Sequence, residues 1–297
     1  MVTRHISTIK ITPITLEQGP TDLIKNGDVM QKFKEFALKR PFLFGLVLIV
    51  LYSILGFLTY PVHFLFPETA AGQLLGDALS KLITFLAFLL LYWRFGWVKD
   101  SGLSRFGTLP IWLVSIPLMI YKVLTWLYAF TGDLSFPISD WNMAASNLTL
   151  HLSTSLVEET MVRGLVITAM LLAWGQSKSG QFKTLVLSSM FFGMIHLFNL
   201  VARPPGVVIL QAVILSLPGI FYAALVMKYN TLWPGIIMHW LTNAAVNIKL
   251  IGVENYQESL SMWLIAAAVT IPLALLGAYW VWKLPADPAL ENGTADN

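Results

Sequence analysis

The sequence contains no cysteine in its 297 residues. That excludes disulfides, thiolate nucleophiles and cysteine-based zinc sites together. Charge is scarce: Asp, Glu, Lys and Arg make up 12% of the chain, roughly half the share usual in soluble domains. No basic stripe stands on a polar domain, so no nucleic-acid partner is expected. No apolar run precedes Pro41. A secretory signal peptide would place one far earlier, so the N-terminal segment is expected to be retained and cytoplasmic. There is no internal repeat.

What the chain has instead is apolar length. Hydrophobic residues make up 56% and the mean hydropathy is +0.69. A soluble core could not hide that much apolar surface, and a bilayer is its natural solvent. Eight apolar runs lie at about 41–60, 78–96, 109–130, 145–174, 184–201, 207–228, 232–250 and 260–282, each near the ~20 residues needed to span hydrocarbon. The expected fold is therefore an all-α membrane protein, a polytopic bundle of about eight transmembrane helices over residues 41–284. Gly and Pro punctuate the gaps, as in Pro204-Pro205-Gly206 and Pro234-Gly235. The fourth run exceeds one span, which predicts tilt or an interfacial start. Residues 1–40 form a polar cytoplasmic segment. Within it, Asp28–Arg40 has the spacing of a short amphipathic helix on the membrane surface. Residues 285–297 form a polar tail.

Lys and Arg positions predict orientation. With the N-terminus inside, 14 of the 19 fall in cytoplasmic segments and two, Arg203 and Lys249, in outer loops. Both termini are thus expected in the cytoplasm. Three remain within spans: Lys81, Lys122 and Arg163. The first two are expected to reach the outer interface with their long side chains.

An ionisable group in hydrocarbon costs about 2.5–3.5 kcal/mol on insertion scales, so it is usually paired, turned inward and functional. Of the 16 acidic residues, only Glu158 and Glu159 fall deep inside a predicted span. His196 and His239 lie within the fifth and seventh runs. Glu159 and Arg163 are spaced i,i+4 and can pair on one helix face, while Glu158 is rotated about 100° away and free to find another partner. His239 and Asn243 share a face in the same way. His151, seven residues before Glu158, is expected to be interfacial, and Asn199 could orient His196. Gly164 and Gly193 fit places where helices approach closely.

Two chemistries suit this set. A Glu and a His in a dry cavity can share and deprotonate a water, while a second His and an amide donate to a developing oxyanion. Alternatively, Glu158, His196 and His239 match the His₂Glu set of catalytic zinc, with a fourth position open for water. Both hydrolyse amide bonds without Ser or Cys, and the residues alone leave the choice open.

Glu158-Glu159-x-x-x-Arg163, Phe192-x-x-x-His196 and His239-x-x-x-Asn243, in that order on successive apolar segments, resemble the three motifs of the CAAX prenyl protease and bacteriocin-processing (Abi) family. The Leu232-Trp233-Pro234-Gly235 lead-in is also similar, and the likeness covers about residues 145–250. It implies an intramembrane endopeptidase acting on a peptide or membrane-protein substrate. Glu158 and His196 would activate the water, His239 and Asn243 would hold the oxyanion, and Glu159 and Arg163 would orient the site. No cofactor is needed in a glutamate mechanism, and zinc is the metalloprotease alternative. The implied location is a bacterial plasma membrane. Two rival classes use the same residues: a proton-coupled transporter or channel, and a non-catalytic family member acting as a scaffold. The lack of repeat-related halves argues against the first, and intact motifs argue against the second.

Overall fold

The computed structural model describes residues 29–134, 140–250 and 258–286. The expected polar leader up to residue 28 and most of the polar tail lie outside the described residues. Among those described there is no strand, and ten α-helices run in order. They are α1 (Val29–Lys39), α2 (Pro41–Thr59), α3 (Ala70–Phe95), α4 (Leu109–Thr131), α5 (Trp141–Glu159), α6 (Ile167–Trp174), α7 (Lys178–Ile195), α8 (Pro205–Tyr229), α9 (Trp233–Leu250) and α10 (Leu260–Trp282).

Helix starts follow local chemistry. Asp140, Ser177 and Ser259 each accept a backbone N–H from the first turn that follows, supplying orphan donors with a partner. Proline occupies the first turns of α2, α4 and α8, where its missing N–H costs nothing. Gly96 and Gly132 close α3 and α4 in the left-handed conformation.

Among the described residues, six segments are long and apolar enough to cross a membrane. They correspond to the first, second, third, fifth, sixth and eighth apolar runs. The fourth and seventh runs also fold as helices, but α5 and α9 carry the polar residues of the motifs. The outward faces of the bundle are apolar, with Phe57 80%, Leu113 64% and Leu275 65% exposed. Such faces suit lipid rather than water. The protein is an integral membrane protein built as a helical bundle.

The long fourth run is resolved by an unexpected device. Between α5 and α6, residues Thr160–Val166 form a π-helical segment, so one continuous rod runs from Trp141 to Trp174. Wide turns of this kind re-phase a helix and are frequent at functional sites. The rod packs against α3 on one side and α9 on another, while α8 is held between α7 and α10.

Two expected close approaches are found. A Cβ on Gly164 would lie 1.4 Å from the Tyr92 hydroxyl oxygen, and that hydroxyl donates to the Thr160 carbonyl inside the π segment at 3.2 Å. A Cβ on Gly193 would lie 2.2 Å from the Ala212 carbonyl oxygen, so α7 and α8 meet backbone to backbone. The expected amphipathic helix exists as α1, but its apolar face turns onto the protein. Phe33 meets Phe44 and Phe95 edge-on, with ring centroids 5.5 and 5.7 Å apart.

Gly164→Ala should overpack the contact with Tyr92 and cost about 1–3 kcal/mol, read as a lowered unfolding temperature in detergent. Gly56→Ala, with open space around its Cβ, is the neutral control. Equal melting of the two variants would contradict the packing described.

Candidate active site

The rod and α9 bring the motif carboxylates and one imidazole into a single buried cluster. Glu158, Glu159, Arg163 and His239 are 5%, 1%, 0% and 5% exposed. The i,i+4 pair forms as the spacing predicts, with Arg163 Nη1 3.3 Å from Glu159 Oε1. The same oxygen also accepts from His239 Nδ1 at 2.9 Å. One carboxylate oxygen thus ties together α5, the π segment and α9.

That bond sets the imidazole. With Nδ1–H given to Glu159, the opposite nitrogen, Nε2, faces Glu158 Oε2 at 3.9 Å. A carboxylate behind a histidine fixes both the ring's tautomer and its orientation. The rotation of Glu158 away from Glu159 works as expected: it leaves the ion pair to its neighbour and points elsewhere.

Arg163 is held by more than its ion pair. Its guanidinium carbon lies 3.8 Å from the Phe192 ring centroid and 5.6 Å from that of Tyr222. Stacking on aromatic faces stabilises a weakly hydrated cation that water cannot reach. Phe192 also meets both motif histidines edge-on, His196 at 5.7 Å and His239 at 5.3 Å between centroids. It is the common wall that joins the second motif to the third.

His196 ends α7, where the helix tightens into the 3₁₀ turn His196–Val201. It lies within electrostatic reach of Glu158, His239 and Arg163. Its Nε2, together with Glu158 Oε2 and His151 Nδ1, is buried without a hydrogen-bond partner. Buried polar atoms are rarely left so, and orphaned ones mark places where a water or ligand group belongs. Asn243 sits one turn after His239 on α9, partly buried, with its carbonyl accepting from Asn247.

Several expectations are corrected. His151, expected to be interfacial, is half-buried, with its Nδ1 buried and without a hydrogen-bond partner. Asn199 does not orient His196, because its amide donates to Gln211 at 3.0 Å. Lys122 does not reach outward. It is 3% exposed and its Nζ lies 3.9 Å from the Trp126 ring centroid, where the aromatic face replaces water. Lys81 also turns inward, donating to the Tyr52 hydroxyl, and Tyr52 in turn donates to Glu158 Oε1 at 3.3 Å. Tyr52 and Lys81 stand in helices distant from the motifs along the chain, in runs that read only as spans. The lone signal for Lys81 was a cation inside an apolar segment.

The zinc arrangement asks Glu158, His196 and His239 to converge on one point. Among the described residues no three His, Cys, Asp or Glu side chains lie where they could hold a metal ion together.

Residues 140–245 match the family model described as Rce1-like, Type II CAAX prenyl endopeptidase. The matched segment starts at the Asp140 cap of α5 and ends within α9, so it contains all three motifs. No curated protein and no solved structure matches the chain.

Breaking the Glu159 contacts should separate stability from activity. Glu159→Gln strands Arg163 as a buried unpaired charge, expected to cost about 3–5 kcal/mol. Adding Arg163→Met should restore most of the unfolding temperature. Activity should stay low in the double variant, since His239 still lacks its carboxylate. Recovery of both together would contradict an orienting role for Glu159.

Proposed function

We propose, from the match of residues 140–245 to the Type II CAAX prenyl endopeptidase model, that the chain is an intramembrane endopeptidase whose nucleophile is a water activated by Glu158 and His196. The observation that carries the reading is the buried meeting of the first and third motifs, with Glu158 Oε2 facing His239 Nε2 at 3.9 Å.

The sequence of events follows from the donors and acceptors present. A water between Glu158 Oε2 and His196 gives up its proton to the carboxylate as its oxygen attacks the scissile carbonyl carbon. The carbonyl oxygen becomes an oxyanion, which needs donors already in place. His239 and Asn243, one turn apart on α9, are assigned that task. The geometry adds a condition: with Nδ1–H committed to Glu159, His239 donates from Nε2 only as the doubly protonated ring, with Glu159 as its counter-charge. Glu158 then returns the proton to the leaving nitrogen, and the peptide bond is cut. Arg163, bound to Glu159 and stacked on Phe192, holds this arrangement in place without touching substrate.

The substrate is a peptide or a membrane-protein segment. A prenylated C-terminal peptide is the form that the family description names, and an unprenylated membrane-anchored peptide is the other class to test. The proposed orientation places both termini in the cytoplasm of a bacterial plasma membrane.

The test is cleavage of reporter peptides of both classes by purified protein in vesicles. Wild type should cleave one of them, with activity that persists after chelation and dialysis. Glu158→Ala and His196→Ala should each lower the rate by at least ~100-fold without altering the unfolding temperature. Cleavage retained in both variants would reject the assignment. Stoichiometric zinc with chelator-sensitive cleavage would replace the glutamate mechanism by the metal one. Ion or solute flux lost in the same variants, with no peptide ever cut, would favour a transporter.

A further inference from the structure

A carboxylate that acts as a base works best with one oxygen fixed and the other free. Glu158 has that division. Its Oε1 accepts from the Tyr52 hydroxyl at 3.3 Å, while its Oε2 is buried with no donor. The Tyr52 hydroxyl is itself the acceptor for the Lys81 ammonium. A lysine ammonium can only donate, and a phenol has a single proton. Both bonds therefore have a forced direction: ammonium to phenol, phenol to carboxylate. Charge-assisted bonds of this kind are the stronger ones.

The pair is also held mechanically. Tyr52 is 8% exposed and packs in the apolar cluster with Leu48 and Ile49, and the Lys81 Nζ lies 4.5 Å from its ring centroid. Asp77, one turn earlier on α3, binds His63, whose Nε2 lies 2.7 Å from its Oδ1, while Lys81 turns to the Tyr52 hydroxyl. The other titratable or charged groups near Glu158 are Arg163 on its own rod, His196 at the end of α7 and His239 on α9. Among the described residues only Tyr52 is hydrogen-bonded to Oε1.

We propose that Tyr52 and Lys81 are positioning residues that lock the Glu158 carboxylate, tying Oε1 so that Oε2 is presented to the reacting water. Neither residue belongs to the three motifs, and both come from helices outside the segment 140–245. The proposal rests on Glu158 being the base, so its test includes a readout that does not need cleavage.

The full chain is reconstituted in vesicles as wild type, Tyr52→Phe, Lys81→Met and Lys81→Arg. Two quantities are measured: kcat and KM on the cleaved reporter peptide, and the infrared carboxylate stretch of Glu158, isolated by subtracting the Glu158→Gln spectrum in each background. Tyr52→Phe is expected to shift the band and to lower kcat about tenfold or more, part of the ~100- to 10,000-fold that a positioned base supplies, with KM little changed. Lys81→Met should act in the same direction, and Lys81→Arg should recover most of the loss. The unfolding temperature of Lys81→Met should stay close to wild type, and that of Tyr52→Phe is recorded to separate the cost of removing the acceptor of the Lys81 ammonium from the effect on kcat. An unchanged band in Tyr52→Phe overturns the proposal whether or not the protein cleaves anything. A shifted band with wild-type kcat overturns the positioning role. A shifted band where even wild type cuts no peptide supports the lock and instead removes the peptidase reading.

Discussion

One oxygen atom, Glu159 Oε1, carries the arrangement on which the rest depends. It receives Arg163 from the next helical turn and His239 from α9. Without it, a guanidinium with no exposed surface would have no counter-ion and the imidazole would lose its register against Glu158. Buried ions are costly even when paired, and removal of one partner costs more than the pair contributes. The cluster meets that cost by local balance. Glu158 and Glu159 stand against Arg163 and Lys81, and the aromatic faces of Phe192 and Tyr222 cover the guanidinium where water cannot.

Packing decides where those charges sit. The π segment begins at Thr160, directly after the two carboxylates, and its wide turns set the phase between Glu159 and the rest of the rod. Tyr92 reaches the Thr160 carbonyl only because residue 164 has no Cβ. In the same way Gly193 lets α7 close on α8, which carries Phe192 and His196 toward the cluster. Small residues are the usual means of close approach between membrane helices. Here they fix the distance between functional groups as well as between helices.

The residues that declared themselves in sequence were those with a local signature. Glu159 and Arg163 at i,i+4 pair as the helix period requires, and Glu158 diverges by the expected rotation. The apolar runs became helices, and the segment expected at 145–250 is nearly the stretch 140–245 matched by the family model. What stayed hidden depends on long-range placement. Tyr52 meets Glu158 across 106 positions of chain, and nothing in its neighbourhood distinguishes it from any span tyrosine. Lys81 and Lys122 were visible as misplaced cations, yet the rule that long side chains reach the interface pointed them the wrong way. Inside partners, a phenol for one and an indole for the other, outcompete the surface. His239 was legible as an imidazole inside an apolar run, but its attachment to Glu159 was not, because two helices had to be docked before the bond existed.

The central claim is that the rod bearing Glu158 and Glu159 lies against α9, so that the first and third motifs share one cluster. The absence of native cysteine makes a direct test clean. Asn147 Nδ2 donates to the Ala244 carbonyl at 3.2 Å, which places the contact about three turns before Glu158 on α5 and directly after Asn243 on α9. The double variant Asn147→Cys with Ala244→Cys, oxidised or treated with a short thiol crosslinker in native membranes, should join α5 to α9 in high yield, whereas Phe57→Cys with Leu275→Cys on outward faces should not. No crosslink between positions 147 and 244, or equal crosslinking in both pairs, would contradict the arrangement from which the rest is built.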